Sequence, residues 1–263
     1  MLRVARWGGN VSTVAHLEAY QLDTNPDGQA QFGDDGTPLD ALSNPVYVLE
    51  RPGGVLVADG GANAVLSINA DGKVRTLFAS PLVATGACAD RENNDAEHTG
   101  CDPVPTGLAW APDGSLWVST LSGEAEGEGI AYHLNPYSGE VLDTIGGLNS
   151  PRGIAVRDDG SVYVSEGLHG MPEGVPEDDF DPASIGRVVR IATDGTRSYA
   201  AVPMVTGLLF DGGELYASAW SLGSFVGLED AGQIVMLSPE AFVTPEAPPA
   251  DDNPSDGTTG GPL

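Results

Sequence analysis

With 38 acidic and 11 basic side chains in 263 residues, the chain carries a formal charge of -27. That balance excludes docking on nucleic-acid phosphates or anionic membranes, both of which recruit clustered Lys and Arg, and a surface of one sign repels its own copies and favours a monomer. The 36 Gly and 20 Pro fall too densely for long helices, and no run of about 18 apolar residues is present to span a bilayer.

In chain order, residues 2–6 and 10–15 read as two short strands. The opening MLRVARWGGN has no apolar signal-peptide core. Residues 16–43 form a long connection, within which DTNPDGQAQFGD matches a calcium-binding EF-hand loop in part. Asp23, Asn25 and Asp27 take loop positions 1, 3 and 5, Gly28 the turn, and Asp34 position 12, where a bidentate Glu is usual. Against this stand Pro26, the shorter acid at the end and the absence of flanking helices; Asn-Pro-Asp-Gly is also simply a good turn. Calcium is therefore a candidate cofactor, with both readings open.

A phrase then recurs four times. NPVYVLERPGGVLVADGG begins at Asn44, VPTGLAWAPDGSLWVST at Val104, SPRGIAVRDDGSVYVSE at Ser150 and VTGLLFDGGELYASAW at Val205. Each copy is an apolar strand, a Gly-containing turn and a second β-rich strand, the signature of a hairpin. A third strand follows at residues 64–69, 130–135, 187–192 and 233–238, and in the first three copies a turn leads into a fourth. Four antiparallel strands repeating every 45–60 residues predict the blades of a β-propeller. A β-sandwich also has many short strands, but it gives no reason for one strand pair to recur with the same residues at the same steps. The fold class expected is all-β, with about four and a half blades: residues 2–15 supply strands three and four of a blade whose first two are missing, so the chain reads as N-terminally incomplete. The propeller should occupy residues 1–242 and a Pro/Asp/Gly-rich, disordered tail or linker residues 243–263.

Two cysteines, Cys88 and Cys101, flank one polar loop. Free thiols are normally buried, and the spacing suits no zinc site, so a local disulfide is favoured over two free thiols. Closing such a loop contributes about 3 kcal/mol and implies an oxidising compartment. A lost N-terminal segment carrying a signal peptide would reconcile that compartment with the opening residues. The run GVPEDDFDPAS reads as a solvated acidic insertion.

The phrases SNP-x-x-V, GGVLVAD-x-G-x-N and VPTGLA, within a likeness spanning residues 1–240, resemble the ScyD/ScyE family, secreted NHL-like β-propellers. The resemblance implies six blades in the full family member and an extracellular or periplasmic location; it implies no catalytic residues. The family's SNPY is Ser43-Asn44-Pro45-Val46 here, and acidic residues 124–128 stand where the family commonly has an aromatic, proline-containing stretch.

In a propeller the start of each innermost strand and the end of the second emerge on one face, at the channel mouth. That places Asn44, Asp59 and Asn63, then Thr106 and Thr120, then Arg152, Glu166 and His169, then Thr206 and Trp220 around one opening. Convergent polar groups at such a mouth are the expected binding site, although each could instead cap a strand end. No G-x-S-x-G elbow, phosphate loop or H-E-x-x-H motif is present. The leading expectation is a secreted module that binds a small molecule or an extracellular protein, or serves as a scaffold. The alternative is a calcium-dependent lactonase of the gluconolactonase type, with Glu166, Asp59 and Asn44 as metal ligands and Arg152 steadying an oxyanion.

Overall fold

Short runs of β-formers joined by Gly-containing turns pair most readily with their neighbours in sequence, and the strand order follows that preference. The computed structural model describes residues 2–5, 11–172, 174 and 180–245. Strand β1 (Leu2–Ala5) pairs antiparallel with β2 (Val11–Ala15). A helix, α1 (Leu17–Thr24), follows. Three four-stranded sheets and one three-stranded sheet then form in succession. The first is β3 (Pro45–Arg51), β4 (Gly54–Asp59), β5 (Ala64–Asn69) and β6 (Val74–Ala79). The second is β7 (Pro105–Trp110), β8 (Leu116–Thr120), β9 (Gly129–Leu134) and β10 (Val141–Leu148). The third is β11 (Pro151–Val156), β12 (Val162–Glu166), β13 (Arg187–Ile191) and β14 (Arg197–Ala201). The fourth is β15 (Leu208–Asp211), β16 (Glu214–Ala219) and β17 (Gln233–Leu237).

Strands β3, β7, β11 and β15 lie side by side at the inner edge, each in contact with the next, so the sheets are the blades of a propeller. The period-2 alternation of each second strand builds the cores between them. Leu116 and Val118 of β8 face the first blade, whereas Trp117 between them faces the third. Likewise Val162 and Val164 pack toward the second blade and Tyr163 toward the fourth. On the fourth blade the outward face stays open, with Leu209, Ile234 and Met236 exposed at 60%, 74% and 58%. The chain then returns to the third blade. Phe242 stacks edge-on against Tyr163 at 5.4 Å, and Val243 bridges to Tyr199.

The repeated phrase has a mechanical reason. Ser119 Oγ, at the penultimate position of β8, donates to Arg152 O at 2.8 Å, and Ser165 Oγ of β12 donates to Thr206 O at 2.6 Å. Each serine thus ties its blade to the next inner strand. In the second and third copies the glycine two residues after the opening dipeptide makes room for that approach: a Cβ on Gly107 would stand 2.6 Å from Arg152 O, and one on Gly153 would collide with Thr206 O. The motif recurs because the same junction recurs.

One element departs from expectation. Residues 16–43 read as a connection, yet α1 forms there, because LEAYQLDT is built mostly of good helix formers and places Leu17 and Gln21, one turn apart, against the first blade. Residues 6 and 10 of the first expected strand pair, residues 175–179 of the acidic insertion, and the tail beyond residue 245 lie outside the described residues.

Candidate functional site

The pairs Pro45 with Asp59, Pro105 with Thr120 and Pro151 with Glu166 lie opposite each other at one end of the first three blades. That is the end where the sequence reading places the channel mouth, and its backbone is tightly wound. Val104, Ser150 and Met204, each in the turn leading to an inner strand, adopt left-handed φ of 49°, 46° and 45°. Such a conformation costs of order 1–3 kcal/mol for a non-Gly residue and persists only where neighbours enforce it.

Two carboxylates hold the loops at this end, Glu166 by binding the residue before Ser150. Asp59 is fully buried; its Oδ1 accepts the N–H of Asn44 at 2.7 Å and of Ala62 at 3.2 Å, and its Oδ2 accepts the Ser43 hydroxyl at 2.7 Å. Glu166, also fully buried, accepts the Asn149 N–H at 2.7 Å and the Arg187 Nε–H at 2.5 Å. In both blades an acid ending the second strand ties down the loop that enters the first. Asn44 contributes to the tie through its backbone.

The hydroxyls are committed as well. Thr106 Oγ1 donates to Pro151 O at 3.0 Å, and Thr120 Oγ1 donates to Ile130 O at 2.9 Å. Thr206 Oγ1 lies 3.1 Å from Ser218 Oγ. Trp220 is half-buried, with a left-handed φ of 60°, and packs against the third and fourth blades. Asn63 joins the mouth to residues 25–42: its Nδ2 donates to Asp27 at 3.0 Å, and its Oδ1 accepts the Val104 N–H at 3.1 Å.

Arg152 and His169 have a different setting. Arg152 Nη2 pairs with Glu124 Oε1 at 2.6 Å, and His169 Nδ1 lies 3.1 Å from Asn149 Nδ2. Glu124, Asn149 and His169 line an open cleft of about 890 Å³ together with Arg91, Glu126 and Met171, a size that suits a small ligand. Burial, and next the charge of Arg187, hold the His169 imidazole below its usual 6.5, against the opposing pull of Glu166 and Glu126. Arg91 lies in the loop closed by the Cys88–Cys101 disulfide, and its Nη1 donates to Gly123 O at 2.9 Å. Arg91, Glu124, Glu126 and Asn149 escape the repeat-based reading because they belong to connections outside the repeated phrase. The one signal pointing to Arg91 is the disulfide that pins its loop.

A metal at the mouth, as the lactonase alternative requires, does not fit Asp59 and Glu166: their oxygens are occupied by backbone N–H groups, a hydroxyl and a guanidinium. Among the described residues, no three His, Cys, Asp or Glu side chains form a metal-holding group. In the EF-hand-like stretch, Asp23 sits in α1 and is exposed, Asn25 is that helix's left-handed C-cap, Asp34 is exposed, and Asp27 alone of the acids turns inward.

No protein-family model matches the chain, and no curated protein matches it. Among solved structures it is similar to a protein of unknown function from Bacteroides caccae, at 18% identity and a TM-score of 0.48, covering 79% of this chain and 61% of that one. It is similar to virginiamycin B lyase from Staphylococcus aureus, at 15% and 0.47, over 80% of this chain and 59% of the lyase. A calcium-binding protein, regucalcin, from Agrobacterium tumefaciens is similar at 17% and 0.48, over 91% of this chain and 68% of that one. The chain thus spans about three-fifths of the length of the first two.

Proposed function

We propose that this propeller is a secreted, non-catalytic module that binds a small molecule or an extracellular protein in the cleft bounded by Arg91, Glu124, Asn149 and His169. The observation that carries this reading is the commitment of the mouth's carboxylates. Asp59 and Glu166 hold loops in place, while the cleft beside them keeps an arginine, two glutamates and an imidazole at its wall. The Cys88–Cys101 disulfide supports an oxidising, extracellular or periplasmic setting. A calcium-dependent lactonase would need Glu166 to release both Asn149 and Arg187 before it could ligate a metal.

The test is hydrolysis of D-glucono-δ-lactone by the full chain in millimolar calcium. The expected result is no turnover above the uncatalysed rate. Calcium-dependent turnover abolished by Glu166→Gln would overturn the proposal in favour of the lactonase.

A further inference from the structure

Away from the mouth cleft, the segment 25–42 and the disulfide-closed loop enclose a cavity of about 30 Å³, room for a single water or ion. Four carboxylates line it, Asp27, Asp40, Asp95 and Asp102, with no Lys, Arg or His among the described lining residues. All four already accept hydrogen bonds, Asp27 at both oxygens, from the Gln29 N–H at 3.3 Å and the Asn63 amide at 3.0 Å. Asp95 accepts the N–H groups of Ala30 and Glu97 and contacts the His98 imidazole, and Asp40 accepts the Ala41 N–H. Asp102 Oδ1 accepts the side-chain amides of Gln29 and Asn93.

The independent observation is Gln21. It lines the cavity with its side chain 3% exposed, and its buried Oε1 has no partner among the described residues. Four residues on, Asn25 Oδ1 is a second buried acceptor without one. A buried acceptor left unmet costs about 1–3 kcal/mol. The Gln21 oxygen thus belongs to an acid-lined space whose described lining supplies no cation, whereas Asn25 lies outside that lining. Burial, with Asp102 nearby adding to it, also raises the Asp27 carboxyl above its usual range, which a positive charge in the cavity would reverse.

We infer that this cavity is a binding site for one hard divalent cation of calcium's class, held by Gln21 Oε1 with the carboxylates of Asp27 and Asp102. Calcium accepts amide oxygens beside carboxylates. It would join α1 and the segment after it to the disulfide loop, and so fix the face from which Arg91 reaches the cleft. The ligands differ from those of the EF-hand-like reading: Asp27 is shared, and Asp23 and Asp34 are not used.

Calorimetric titration of calcium chloride into the chelator-treated full chain tests this. One site per chain is expected, with a dissociation constant of about 10⁻⁴ to 10⁻³ M, as for extracellular sites with few charged ligands. Asp27→Asn should weaken binding at least about tenfold, whereas Asp23→Asn and Asp34→Asn should stay within about twofold of wild type. Gln21→Leu keeps the test decisive if Asp27→Asn misfolds. It should weaken calcium binding without lowering the melting temperature of the metal-free chain, because it removes an unmet acceptor. Absence of binding at ten-millimolar calcium would overturn the inference, as would equal losses from Asp23→Asn and Asp27→Asn. The gluconolactone assay reads the cleft and not this cavity, so the two conclusions stand or fall separately.

Discussion

Replacing Glu166 with alanine asks whether the mouth's carboxylates belong to the scaffold. The side chain is fully buried, and its removal leaves the Asn149 N–H without its acceptor and Arg187 without its anion. Breaking a buried pair by deleting one partner costs about 3–5 kcal/mol. The Arg187 side chain is 23% exposed, and its guanidinium lies 4.2 Å from the centre of the Tyr199 ring, so its charge is partly accommodated elsewhere. The lower end, about 3 kcal/mol, is expected, a large share of the 5–15 kcal/mol that typically separates folded from unfolded chains. Urea unfolding followed by tryptophan fluorescence should show a lower midpoint at unchanged slope. With Arg187→Ala, the double-mutant cycle should return a coupling of about 2 kcal/mol. A Glu166→Ala chain within about 0.5 kcal/mol of wild type would refute the reasoning, because the carboxylate would then be free for ligand chemistry.

Gly107→Ala forces a Cβ to within 2.6 Å of Arg152 O and should destabilise by about 2 kcal/mol, while Gly207→Ala meets only Ser218 Oγ, at 3.1 Å, and should cost less than about 1 kcal/mol; urea midpoints of the two variants check the contrast, and equal losses would deny the blade junction its role. His169 contributes a pH dependence of definite sign. Its folded pKa lies below 6.5, so the unfolded chain binds the proton more readily; the stability from the neutral imidazole is complete above about pH 6.5 and is lost as pH falls toward the folded value. Comparing urea midpoints at about pH 7.5 and pH 5, His169→Asn should lose less stability on acidification than wild type, and an unchanged difference would remove the histidine from the account.

The blades were legible because a propeller repeats one mechanical problem. The Gly-containing turns and the alternation within each second strand answer it with the same residue types each time, and the glycine–serine junction does so in the second and third blades, so strands β3–β17 stand within a few residues of where the phrases place them. The pairing of Cys88 with Cys101 was legible too, because two cysteines flanking one polar loop leave no other partner. Helix α1 was not: eight residues give a weak periodic signal, and what holds them is the burial of Leu17 and Gln21 against a blade that folds later in the chain.

The mouth residues show the same division. Sequence placed Asp59, Thr120 and Glu166 at one end of the blades, since strand length and pairing determine where a strand stops. Whether an acid there faces a ligand or holds a loop depends on which backbone N–H groups come within 3 Å of it. Those groups belong to chain 15 to 17 residues away, and for Glu166 the side-chain guanidinium of Arg187 is a further donor. The cleft, and the cavity beside Gln21, are formed by connections that carry no repeat. Only the packing of loops from different blades brings Arg91 to His169, or Asp102 to Asp27, because those contacts are set by distance in space rather than by position in the phrase.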